Sequence, residues 1–174
     1  MTILLSVLLA FSSVFSAELV APTLSDNDKV EIVIESNDQM RFNLKEITVK
    51  EGQTVVLTLK HVGKLPKAAM GHNWVLLQPG TELPAFAMKA MQAKDNEYVP
   101  ADAQEVIVNT SLLGGGEETT IEFEAPSKGT YFFICSFPEK IKTLSNNYMA
   151  RRTCTRHFAS MLYFNIISKG SLAD

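Results

Sequence analysis

Between residues 29 and 134 the chain is cut by Gly, Pro, Asn and Asp turn signals into short runs of β-branched, aromatic and aliphatic residues, a pattern that favours stacked strands over helices. In 29–36 (KVEIVIES) apolar and polar residues alternate at first, the period of a strand with one buried face. The runs 42–49 and 53–60 (QTVVLTLK) repeat the signal on either side of the turn Lys50-Glu51-Gly52. Strands are also predicted within 71–77, where Trp74 to Leu77 is continuously apolar, and over 105–109, 119–124 and 129–134. The one helical stretch is 84–93, where Phe86, Met88, Ala90 and Met91 sit among good helix formers and Asp95-Asn96 ends the run. An all-β sandwich with one short inserted helix is the expected architecture. Gly114-Gly115-Gly116 lacks the Lys-Ser/Thr ending of a phosphate loop and is expected to be a turn.

At 174 residues and 46% hydrophobic content the chain can bury one sizeable core and is short for two. Its 16 Lys and Arg are interspersed among 19 Asp and Glu, so no basic stripe neutralises phosphates and nucleic acid is not expected as a partner. Residues 1–16 (MTILLSVLLAFSSVFS) are an apolar run short for a bilayer span and ended by small polar residues, the pattern of a secretory signal peptide. Cleavage after Ser16 would place Val14 and Ser16 at the small-residue positions, although no Lys or Arg precedes the apolar run. An uncleaved anchor is the alternative, and either way the folded part is exported. The expected organisation is a signal peptide at 1–16, a linker at 17–28 and one domain at 29–170.

The side chains able to hold a metal are few: His61, His72 and His157, Cys135 and Cys154, and seven methionines. A thiolate, two imidazoles and a weak thioether form a set suited to copper in both of its oxidation states. His72, Cys135, His157 and Met161 can supply it. In a sandwich, His72 at the start of one strand and Cys135 at the end of another can share one end of the fold, so the site would be assembled by tertiary structure.

Five segments in order, Ser36-Asn37-Asp38-Gln39-Met40-Arg41-Phe42-Asn43, Leu59-Lys60-His61-Val62-Gly63-Lys64-Leu65-Pro66-Lys67, Met70-Gly71-His72-Asn73-Trp74-Val75-Leu76, Gly114-Gly115-Gly116-Glu117 and Cys135-Ser136-Phe137-Pro138, resemble the azurins, a family of cupredoxins. The resemblance implies a cupredoxin-like Greek-key β-sandwich carrying one type 1 (blue) copper ion, which passes one electron between redox partners in the periplasm. It implies His72 and Cys135 as equatorial ligands and the Gly71 carbonyl as a weak axial neighbour. Asn73 would pin the ligand loops by hydrogen bonds, Met40, Met70 and Phe137 would surround the site, and His61 would be a non-ligand. Partners would be c-type cytochromes or other electron carriers, with no stable membrane insertion after signal cleavage. Enzyme activity is not expected, because a copper with four protein ligands leaves no open position for substrate.

The chain departs from that family where the cysteine should be followed closely by the second histidine. After Pro138 comes Glu139-Lys140, and the segment resembling His-Phe-Ala-x-Met is His157-Phe158-Ala159-Ser160-Met161, followed by a predicted last strand at 162–167. Residues 139–156 are read as an inserted loop that leaves the ligand set intact; it carries Lys140, Lys142, Arg151, Arg152 and Arg156. An apolar surface around His157, with Phe137 and Phe158, is the expected docking patch. Three rivals stay open: a chance match of His157 and Met161 in an altered tail, Cys154 as the thiolate, and a Cys135–Cys154 disulfide that would consume it. The corresponding functional alternatives are a copper-buffering module or a metal-free cupredoxin-like domain. The disulfide usual in the resembled family is absent, since Val30 and Gln53 stand near its expected positions.

Overall fold

A computed structural model describes residues 28–138, 141 and 162–168. The expected signal segment 1–16, residues 17–27 of the expected linker, and the expected insertion apart from Ile141 lie outside the described residues. The strands are β1 Lys29–Ser36, β2 Glu46–Lys50, β3 Thr54–His61, β4 Val75–Leu77, β5 Val106–Asn109, β6 Glu118–Glu124, β7 Gly129–Ile134 and β8 Tyr163–Ile167. Helix α1 Lys67–Met70 lies between β3 and β4, and helix α2 Leu83–Gln92 lies between β4 and β5.

The strands form a three-stranded sheet in the order β1-β3-β6 and a five-stranded sheet in the order β2-β8-β7-β4-β5. The chain crosses between the sheets at every step except β4 to β5 and β7 to β8, which pair as antiparallel neighbours, and β1 lies parallel to β3 and β2 parallel to β8. Alternation sets what each strand buries. Ile32 and Ile34 of β1 and Val55, Leu57 and Leu59 of β3 face inward, while their neighbours point outward. Tyr131 and Phe133 of β7 and Phe164 and Ile166 of β8 answer them from the other sheet. Trp74 fills the middle of this core with no exposed surface, its ring centroid 5.8 Å from Phe133 and 6.0 Å from Phe164. Burying side chains of this size is worth roughly 1.5–3 kcal/mol each.

Strand β4 breaks the alternation because both of its faces are covered. Trp74 and Leu76 join the main core, whereas Val75 and Leu77 join a second cluster with Leu83, Phe86, Ala87 and Ala90 from α2, together with Val99 and Ile134. The apolar run from Trp74 to Leu77 is thus the signature of a strand sandwiched between sheet and helix.

Two local expectations change. Residues 42–49 are not one strand: Phe42 makes an isolated bridge to Ser36 of the three-stranded sheet, while Ile47 pairs with Phe164 of the five-stranded sheet. The chain changes sheets between them, so one ladder cannot run through both. Ile141, inside the expected insertion, is buried against the α2 cluster and its N–H donates to the Phe137 carbonyl at 3.0 Å, so this residue belongs to the packed fold. Beyond the insertion, β8 lies between β2 and β7, with Phe164 level with both Ile47 and Tyr131.

Candidate metal centre

The registers bring the ends of several strands together. Ser36 lies level with His61 and Lys60 with Glu118, while Val75 lies level with both Ile134 and Asn109. The loops leaving these positions carry the chemistry.

His72 enters β4 through an isolated bridge with Leu113: its N–H donates to the Leu113 carbonyl at 2.9 Å and its carbonyl accepts from the Leu113 N–H at 2.7 Å. The side chain is buried, and Nε2 lies 3.0 Å from the Asn37 carbonyl. A carbonyl only accepts, so Nε2 carries the proton in this bond and a metal would be met through Nδ1. Cys135 follows β7 directly and is buried, with Sγ 3.9 Å from the Gly71 carbonyl. Gly71 has no room for a side chain: a Cβ there would stand 2.8 Å from the Lys67 carbonyl oxygen and 2.9 Å from Phe137 Cδ2.

Asn73 couples these two segments. Its Oδ1 accepts from the Ser136 N–H at 2.8 Å, and its Nδ2 donates to Ser136 Oγ at 2.7 Å and to the Glu97 carbonyl at 3.1 Å. Asn73 and Ser136 are both fully buried. Such bonds are dear to break, since each orphaned group costs about 1–3 kcal/mol.

His61 packs edge-on against His72 with ring centroids 4.8 Å apart. Its Nε2 donates to the Met70 carbonyl at 2.9 Å and its Nδ1 accepts from the Gly63 N–H at 3.0 Å, so both nitrogens are committed to backbone. Behind it, Asp38 accepts from the Lys64 N–H at 2.8 Å and the Leu65 N–H at 3.2 Å. The Lys64 bond foremost holds the Asp38 carboxyl below its usual value of 3.8. Glu117 is likewise held low, first by the Gly114 N–H at 2.8 Å.

Met40 is partly buried against the core, in a left-handed conformation with φ 58°, and Met70 ends α1 half-buried. Phe137 is 5% exposed and meets Tyr98 edge-on at 5.4 Å. It is packing rather than docking surface, because the close approach at Gly71 draws its ring inward. Among the described residues, the exposed large apolar side chains near this end are Val62 and Leu65. His157, Met161, Cys154 and Phe158 lie outside the described residues. Among the described residues no cluster of three or more His, Cys, Asp or Glu could hold a metal. The donors at this end, a buried thiol 3.9 Å from the Gly71 carbonyl and the buried imidazole of the next residue, His72, are of types that fit copper. Sequence reasoning missed the contacts of Asn37, whose carbonyl meets His72, and of Glu97, whose carbonyl meets Asn73 and whose carboxylate meets Leu112; the two carbonyls leave no residue-type signal.

The sequence profile of copper-binding proteins of the plastocyanin/azurin family matches residues 28–149, and thus ends before His157. Azurin of Alcaligenes faecalis is 45% identical over 113 residues, spanning 62% of this chain and 88% of that protein. Outer membrane protein H.8 of Neisseria gonorrhoeae is 40% identical over 109 residues, which cover 60% of this chain and 58% of that protein. Among solved structures, auracyanin A, a "blue" copper protein of Chloroflexus aurantiacus, aligns with a TM-score of 0.62 at 27% identity, covering 80% of this chain and 99% of that one.

Proposed function

The chain belongs to the plastocyanin/azurin family of copper-binding proteins, and from that premise we propose that it is a periplasmic electron carrier with one type 1 copper. The ligands in this reading are His72, Cys135, His157 and Met161, with the Gly71 carbonyl as a weak axial neighbour. The observation that carries it is the buried Cys135 thiol, 3.9 Å from the carbonyl of Gly71, the residue preceding a buried His72 whose Nε2 is committed to Asn37.

A copper ion bound there supplies one-electron chemistry between Cu(I) and Cu(II). The chain's own residues provide constancy of geometry. Asn37 orients the His72 ring, Asn73 ties the His72 segment to the Cys135 segment, and the buried surroundings keep water from the thiolate. Donors held this way rearrange little when the metal's charge changes, which favours rapid transfer over chemistry on a substrate. The pairing of β8 with β2 and β7 supports reading 29–170 as one domain interrupted by an insertion.

Residues 1–16 are read as the export signal, and among the described residues no helix is long and apolar enough to cross a membrane. Exchange partners would be redox proteins such as c-type cytochromes, docking transiently near Val62 and Leu65 through an interface below about 1,200 Å².

The test is visible absorption and electron paramagnetic resonance after one equivalent of Cu(II) is added to the reduced protein. An intense band lost in Cys135→Ser and shifted or weakened in His157→Ala is expected. Binding of copper without that band would replace the carrier with a buffering module. Absence of binding would leave a metal-free member of the family.

A further inference from the structure

Glu97 and Tyr98 are consecutive non-glycine residues with positive φ, 54° and 63°, a conformation that persists only where the surroundings enforce it. The backbone turn is held by the Glu97 N–H on the Lys94 carbonyl at 3.2 Å and the Tyr98 N–H on the Ala93 carbonyl at 2.9 Å. What the turn achieves lies outside its own segment. The Glu97 carbonyl accepts from Asn73 Nδ2 at 3.1 Å, and its carboxylate Oε2 accepts from the Leu112 N–H at 2.9 Å. The Tyr98 ring meets Phe137.

Each of these contacts lies within two residues of the centre or of its bridge. Asn73 follows His72, Leu112 precedes the Leu113 that exchanges backbone bonds with His72, and Phe137 stands two residues after Cys135. One residue in an unfavourable conformation thereby joins the segment before β4 to the segment after β5. We propose that Glu97 is a positioning residue of the metal centre, its carbonyl and carboxylate together setting where His72 is presented. The proposal rests on the copper reading above. Lys67 Nζ lies 4.0 Å from Glu97 Oε1, with both side chains nearly half exposed. A pair in such a setting adds little, so the Leu112 bond carries the role.

The experiment compares Glu97→Gly and Glu97→Gln with the parent. Glycine takes the left-handed backbone freely but has no carboxylate, whereas glutamine keeps an oxygen for the Leu112 N–H. A merely structural Glu97 would leave the copper unaltered once the backbone is relaxed. The expected result is a shifted visible band, altered copper hyperfine splitting and a moved reduction potential in Glu97→Gly, with Glu97→Gln close to the parent. A parent-like spectrum and potential in Glu97→Gly overturns the proposal, whatever its melting temperature. Should the parent bind no copper, the copper reading fails separately, and alkylation of Cys135 in the metal-free protein, followed by peptide mass spectrometry, decides the positioning role. A rate raised about tenfold in Glu97→Gly supports it and an unchanged rate overturns it.

Discussion

At the scale of single residues, the loops around the candidate centre are held mainly by side chains bonded to backbone. Asp38 is the plainest case, since one carboxylate secures two successive N–H groups beyond β3. In the unfolded chain this group titrates near 3.8, and in the fold the Lys64 and Leu65 N–H groups hold it lower. Its contribution is therefore fully present above about pH 5 and is lost as pH falls through the folded value. Asp38→Asn should be less stable than the parent in urea at about pH 6, with the difference shrinking below the ordinary carboxylate range. A pH-independent difference would remove the carboxylate from this role. Gly63 sits in the same knot: a Cβ there would lie 2.2 Å from Asp38 Oδ1 and 2.6 Å from His61 Cε1, so only glycine fits without displacing one of them.

At the scale of elements, β4 connects two clusters with different tasks. Its inward residues belong to the core shared by the sheets, and its outward residues belong to the cluster under α2. Phe86, 1% exposed, belongs to that outer cluster and not to the main core. Phe86→Ala should lower the unfolding free energy of the metal-free protein by about 3–5 kcal/mol, while the visible maximum of the copper-loaded protein stays in place. A displaced maximum would mean that α2 helps to shape the centre.

At the scale of the whole molecule, the long segment between β7 and β8 tests how far a strand can be separated in sequence from its hairpin partner. Strand β8 takes its place between β2 and β7 although the segment 139–161 intervenes after β7. Loop closure grows only logarithmically, about 0.6 kcal/mol for each doubling of length, so a long connection is thermodynamically tolerable. Deleting 142–156, which keeps Ile141 against the α2 cluster, should leave the sheet content intact and change stability by no more than about 2 kcal/mol. Circular dichroism and urea unfolding would check this, and loss of cooperative unfolding would show that the deleted residues are part of the core.

Local patterning alone determined most of the architecture. The alternation in 29–36 and 53–60, the β-branched and aromatic runs at 119–124 and 129–134 and the helix formers of 84–93 all became elements within a residue or two at each end, because side-chain period is a local property. Residue types narrowed the candidate donors to a few, and the family resemblance pointed among them to His72 and Cys135, both of which are buried. Tertiary structure alone decided which sheet 42–49 joins, that Phe137 turns inward, and that both nitrogens of His61 are occupied. It also decided that the Asn37 carbonyl meets His72 and that the Glu97 carbonyl meets Asn73. Those outcomes depend on backbone carbonyls and N–H groups brought together from distant positions, and every residue type but proline carries the same pair of groups.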